Sequence, residues 1–227
     1  MSIDHVATFK KNFEEELKLI KNSKIKKFIF YIIKEYCQDS FWTMPTSSSG
    51  KFHPVIVNGE GGLVRHIKLC VAVAQELIRA WDYCYGYDEN EEELWGSPGQ
   101  IDIDVIVAAC LLHDLYKNEI PSQSMSHKEL IARHGSCLSD DIRNNLNWKN
   151  WIDIRTLIDC ICIGISSHMG KWTLPINQIP HNVIYSGLGS YVAKIVHNAD
   201  YIASRQFDKL YEKIGKSKVE IINGEIV

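Results

Sequence analysis

The sequence lacks long apolar runs, paired cysteines, a dominant charge and any internal repeat. No stretch of its 227 residues approaches the roughly 18 consecutive apolar positions of a membrane span, so no membrane partner is expected. Lys and Arg number 25 against 28 Asp and Glu, a net charge of −3 with a pI near 6.3. No field of the whole molecule therefore argues for nucleic acid or a membrane surface, although a local basic patch stays open. The seven cysteines, at 37, 70, 84, 110, 137, 160 and 162, form no CxxC pair, are odd in number and lie mostly in apolar helical patterns. They read as reduced core residues of a cytoplasmic protein rather than a disulfide frame or a zinc knuckle. The opening residues, MSIDHVATFKKNFEEELKLI, carry Asp and Glu early and lack the apolar core of a signal peptide.

What is present is helical periodicity in a chain that is 45% hydrophobic and 23% charged, ordinary values for a globular protein. From Val6 to Cys37 apolar residues recur at three and four, predicting two helices broken near Asn22-Ser23. Residues 38–62 hold two Pro, four Gly and a Ser run, a loop long enough to expect a functional role. Helical spacing resumes over Leu63 to Trp81, with His66 in the first turn, and residues 82–101 read as an acidic loop. Further helices are predicted over Ile103 to Tyr116, His127 to Asn145, Trp151 to His168 and Gly189 to Phe207. The tail, VEIINGEIV, has two β-prone runs around Asn-Gly, a strong hairpin signal; a frayed terminus is the alternative. The expected fold is all-α, with a single helical bundle, extra N-terminal helices and a short C-terminal hairpin.

The chain is organised around AACLLHDLYK, Ala108 to Lys117, which delivers His113 and Asp114 side by side. Adjacent helical residues point about 100° apart, so both reach one ion only where the backbone can turn, near the helix end. An imidazole nitrogen with a carboxylate oxygen suits Zn, Mn, Fe, Co or Ni, and a carboxylate can bridge two ions. Alone, such a dipeptide is more often an exposed helix end. Its company shifts the balance: His66 begins one helix, His134 lies in another, His168 ends a third and Asp200 lies in the last.

This order resembles the HD superfamily of metal-dependent phosphohydrolases over about Phe52 to Arg205. The markers are GEGGLVRH before the first His, LLHDLYK where the family commonly has HD-aliphatic-Gly-Lys, SSHMGKW around His168 and NADYIASR around Asp200. SSSGKFHP followed by GGLVRH looks most like the HD domain of YhaM-type 3′-to-5′ exoribonucleases, without their OB domain. The resemblance implies an HD domain over residues 46–207, N-terminal helices over 1–45 packing on it, and a tail over 208–227.

The resemblance makes His66, His113, Asp114 and Asp200 ligands of a first divalent ion. Asp114 would bridge to a second ion completed by His134 and His168, with His127, two turns from His134 on one face, as an alternative to it. One ion or two, of Mn, Fe, Co, Ni, Zn or Mg, is left open; Ser167 stands where two-metal members often carry another His, and Tyr116 replaces the usual Gly. Asp114 and Lys117 are the expected catalytic residues, and Lys117, Lys171, Arg205 and His53 the expected substrate contacts. For Lys117 a solvated helix-end role weighs equally, for Arg205 a surface ion pair, and for Trp172 packing rather than base stacking. His197 is read as a structural hydrogen-bonding partner of the ligand shell, while His5 and His181 carry no signal. The implied function is an enzyme, a phosphohydrolase or phosphodiesterase that uses a metal-activated water on a nucleotide, cyclic nucleotide or short oligonucleotide. Balanced charge and the missing OB domain count against long duplex or strand substrates. A non-catalytic nucleotide- or metal-binding sensor is the alternative, and a structural helical protein a distant third; oligomeric state is not readable.

Overall fold

The computed structural model describes residues 2–47, 57–85, 99–117, 126–170 and 188–205. These form eight α-helices with short 3₁₀ turns and no β-strand among the described residues, an all-α fold. The helices are α1 His5–Asn12, α2 Glu14–Leu19, α3 Ser23–Tyr36, α4 Gly62–Tyr85, α5 Gln100–Leu112, α6 His127–Asn145, α7 Arg155–Ser167 and α8 Leu188–Ala203. No described helix is long and apolar enough to cross a membrane. The tail hairpin, His53, Lys171 and Trp172 lie outside the described residues, as does the His127 side chain.

Helix starts follow local chemistry. Asp4 caps α1 by accepting from the Ala7 amide at 2.9 Å, and Asn22 caps α3 by accepting from Lys24 at 2.9 Å. Ser126 and Glu129 form a reciprocal capping box on α6, satisfying otherwise orphaned amides. Two segments depart from the periodicity. The first predicted helix is itself broken at Phe13, which leaves α1 and α2 as separate short helices. Residues Ile152–Ile154 wind as a 3₁₀ turn, so α7 begins only at Arg155.

Helix α5 is the centre. Every residue from Asp104 to Leu112 is buried, as expected of a helix covered on all sides. It packs against α4, α7 and α8, while α2 and α3 cover another flank and α6 lies on α7. Gly164 permits this approach: a Cβ there would stand 2.9 Å from Ala109 Cβ and 2.9 Å from Val192 Cγ1, so α5, α7 and α8 meet where only hydrogen fits. Buried Asp104 ties the N-terminal layer to the centre, its carboxylate accepting from the Lys21 and Asn22 amides at 2.9 and 2.7 Å and from Gln100 at 2.7 Å.

The long loop before α4 is closed at its base. The Thr46 amide donates to Val57 O at 2.9 Å, and the Leu63 amide to Met44 O at 3.1 Å. That clasp holds the first turn of α4, and so His66, against the bundle.

Candidate metal centre

The helix ends converge on one buried polar cluster. Helix α5 stops at Leu112; His113 keeps helical dihedrals as its C-cap, and a turn follows in which the Lys117 amide donates to Asp114 O at 3.0 Å. The turn lets both side chains of the pair face inward, which a continuing helix would forbid. His66, His113, Asp114, His134 and His168 are all buried, and the Asp200 side chain is only 13% exposed. Uncompensated, such a group would be costly.

Asp114 sits at the middle. Its Oδ1 is 2.9 Å from His134 Nε2 and 3.5 Å from His168 Nε2; its Oδ2 is 3.3 Å from His113 Nε2 and 3.5 Å from His66 Nε2. Asp200 Oδ1 lies 3.0 Å from His66 Nε2 and 3.8 Å from His113 Nε2. One carboxylate thus presents an oxygen to each side, with two imidazoles on either flank. All six residues expected as metal ligands are brought together, with His134 placed beside Asp114 from α6.

The imidazoles share one orientation device. The Nδ1–H groups of His113, His134 and His168 donate to the carbonyls of Cys110, Ile131 and Ile165, each three residues earlier, at 2.7, 2.8 and 2.6 Å. With Nδ1 carrying the proton, a neutral ring turns its Nε2 lone pair into the cluster. His134 Nε2 and His168 Nε2 then stand 2.9 Å apart while both face Asp114 Oδ1. Lone pairs gathered this way repel unless a proton or a cation lies among them, and this donor set is the one divalent metals take. His197 adds a second layer, its Nδ1–H donating to His168 O at 2.6 Å, the ligand-orienting contact expected of it.

Electrostatics follow the geometry. Burial would raise the Asp114 carboxyl, but Lys117 and the neighbouring histidines outweigh it and hold the group well below the usual carboxylate range. Asp200 is held down similarly against burial, chiefly by His66. Burial pushes His168 down to about 4, with His134 and His113 adding to it, so His168 is neutral at physiological pH and able to ligate. Burial also lowers His66. His113 goes the other way: burial is outweighed by Asp114 and Asp200, which raise it.

Lys117 reaches in from the turn, its Nζ 2.6 Å from Asp114 Oδ2 and its side chain 16% exposed. It neutralises the central carboxylate from the rim rather than extending into solvent. Arg205, just beyond α8, places its guanidinium 4.3 Å from the centroid of the Tyr201 ring. Tyr116 directs its hydroxyl away from the cluster and donates to Asp141 Oδ2 at 2.8 Å.

The sequence reading missed one member. Cys70 Sγ lies 3.5 Å from His66 Nε2 and 4.0 Å from His113 Nε2. His66, Cys70, His113 and Asp200 form one group whose donor atoms lie within 4.8 Å of one another, and His113, Asp114 and His168 a second. The available signal was the spacing of four from His66, which places both on one helix face.

No protein-family model, no curated protein and no solved structure matches the chain. What the described residues establish is an all-α fold carrying buried His, Asp and Cys groups that could hold a metal ion.

Proposed function

We propose that the protein is a divalent-metal-dependent phosphohydrolase or phosphodiesterase acting on a nucleotide, cyclic nucleotide or short oligonucleotide. The observation that carries the reading is Asp114 standing between two pairs of imidazoles, with each of its oxygens facing one pair. A bridging carboxylate between two nitrogen-donor sets is how a two-ion hydrolytic centre is held. The HD motif order supports the same reading. His66, His113 and Asp200 with Asp114 Oδ2 would hold one ion, and His134 and His168 with Asp114 Oδ1 the other.

Divalent ions held there supply Lewis acidity to a phosphoryl oxygen and to the attacking water. The chain's own residues supply the rest. The carbonyls of Cys110, Ile131 and Ile165 fix the imidazole tautomers, so the ligands need no rearrangement when a substrate arrives. Lys117, the cation at the rim, offers an ammonium to a substrate phosphate while still balancing Asp114. The balanced overall charge fits a small substrate better than a long strand, which calls for a basic groove.

The test is elemental analysis of the purified protein together with hydrolysis of bis-p-nitrophenyl phosphate in Mn, Co, Ni, Zn or Mg. Expected are one to two ions per chain, metal-dependent diesterase or nucleotidase turnover, and a loss of at least about a hundredfold in Asp114→Ala. Metal binding without turnover on phosphodiesters, nucleoside monophosphates or nucleoside triphosphates would replace the enzyme by a sensor. Undiminished hydrolysis by Asp114→Ala would remove the assignment.

A further inference from the structure

Six free cysteines are described, all buried, and a buried cysteine is ordinarily a small apolar core residue. Cys70 is set apart by what its sulfur faces. It lies one turn after His66 on α4 and is only 1% exposed. Its Sγ points at two imidazole nitrogens of the cluster, 3.5 Å from His66 Nε2 and 4.0 Å from His113 Nε2. A thiol has one proton and can donate to one of them. The ring of His113 already spends Nδ1–H on the Cys110 carbonyl, which leaves its Nε2 as an acceptor or a ligand.

The spacing can be set against a metal polyhedron. A tetrahedral ion with a metal–sulfur bond of about 2.3 Å and metal–nitrogen or metal–oxygen bonds of about 2.0–2.1 Å has sulfur–nitrogen edges of roughly 3.5 Å and nitrogen–oxygen edges of roughly 3.4 Å. The observed sulfur–nitrogen edges are 3.5 and 4.0 Å, and the edges from Asp200 Oδ1 to His66 and His113 are 3.0 and 3.8 Å. All four are within about 0.5 Å of that figure, and the four donors come from α4, the end of α5 and α8.

We propose that Cys70 is a thiolate ligand, completing with His66, His113 and Asp200 a His₂Cys-carboxylate site that selects a thiophilic ion such as Zn(II), Fe(II) or Co(II) over Mg(II) and Mn(II). The inference rests on reading the cluster as a metal centre. On binding, the S–H bond breaks, the sulfur electron pair forms the bond to the ion, and the proton leaves to solvent; no electrons are transferred. A soft donor beside two imidazoles shifts preference away from the oxygen-loving ions, and a coordinating thiol is deprotonated outright by the ion. Asp114 Oδ2, 3.5 and 3.3 Å from the same two imidazole nitrogens, would join that ion as a fifth ligand, and its Oδ1 would serve the other position.

The experiment uses the full chain, stripped with a chelator under reducing conditions and titrated with Co(II), on the parent, Cys70→Ser, Cys70→Ala and Cys137→Ser proteins. The parent and Cys137→Ser should develop a near-ultraviolet thiolate-to-cobalt charge-transfer band. Cys70→Ser and Cys70→Ala should still bind cobalt but lack the band. In competition, the ratio of Zn(II) to Mn(II) affinity should fall at least tenfold in Cys70→Ser. Circular dichroism on each variant reports folding. If the parent binds cobalt without the band, or Cys70→Ser keeps it, the thiolate assignment is overturned while the metal centre stands. If folded parent binds no divalent ion, the metal reading itself fails and the thiolate assignment with it.

Discussion

His113, His134 and His168 are oriented by the same small device, a carbonyl three residues back that takes the Nδ1 proton. It costs no extra side chain and leaves each ring's inward nitrogen as a lone-pair acceptor or metal ligand. Glu16 shows the opposite situation, a largely buried charge with only partial compensation. Its side chain is 13% exposed and its Oε2 lies 3.4 Å from Lys68 Nζ. Burial raises its pKa, and the Lys68 attraction does not offset it. A carboxyl whose folded pKa is above its unfolded value stabilises the fold while protonated, and that stability is lost as pH rises through the folded value. Glu16→Gln, which cannot ionise, should therefore be more stable than the parent at pH 7, with the gap closing below about pH 4, the ordinary carboxyl range. Urea midpoints at the two pH values measure it. A Glu16→Gln protein less stable at pH 7 would mean that the Lys68 pair outweighs burial.

At the scale of elements, the cluster depends on how closely α6 and α7 approach. Gly135 follows His134, and a Cβ on it would stand 2.5 Å from Ile165 O and 2.8 Å from His168 Cε1. In an unconstrained helix, Gly to Ala stabilises by about 1 kcal/mol. Here the neighbour is backbone and a held ring, so overpacking of about 1–3 kcal/mol should win. Gly135→Ala should unfold at lower denaturant and weaken any ion held between His134 and His168, because separating α6 from α7 pulls the two rings apart. A stabilised variant with unchanged metal content would show that the helices part freely. The elements themselves were largely legible: α6 spans His127–Asn145 as its periodicity and capping box indicate. That His66, His113, Asp114, His134, His168 and Asp200 would gather at one place was readable from the motif order and from the helix ends on which several of them sit. Asp104 was not, since apart from Gln100 one turn earlier its partners are the Lys21 and Asn22 amides, 83 and 82 residues away in sequence. Cys70 escaped for a related reason: in an apolar helix a cysteine looks like core until the fold shows which nitrogens its sulfur faces.

Across the whole molecule, residues from three helices, α4, α6 and α8, and from the turns that end α5 and α7 meet at a single point, so the order of the bundle and the charge of the cluster are coupled. Lys117 supplies one positive charge to Asp114, yet Asp200 is a second, largely buried carboxylate, and the Nε2 atoms of His134 and His168 are 2.9 Å apart. Cations at that point would relieve both tensions in the folded chain and find no preformed site in the unfolded one. Such binding stabilises the fold by mass action, about 2.7 kcal/mol at a free-ion concentration one hundred times Kd. For a chain of this size each kcal/mol moves Tm by roughly 2–4 °C. Calorimetry on chelator-treated protein should therefore show Tm rising by about 5–11 °C on adding a saturating ion, and falling back when chelator is restored. His113→Ala, which removes one imidazole from the cluster, should show a smaller rise at the same free-ion concentration. A Tm indifferent to every divalent ion tried, in a protein that is folded at the outset, would mean that the cluster is held by protons and Lys117 alone.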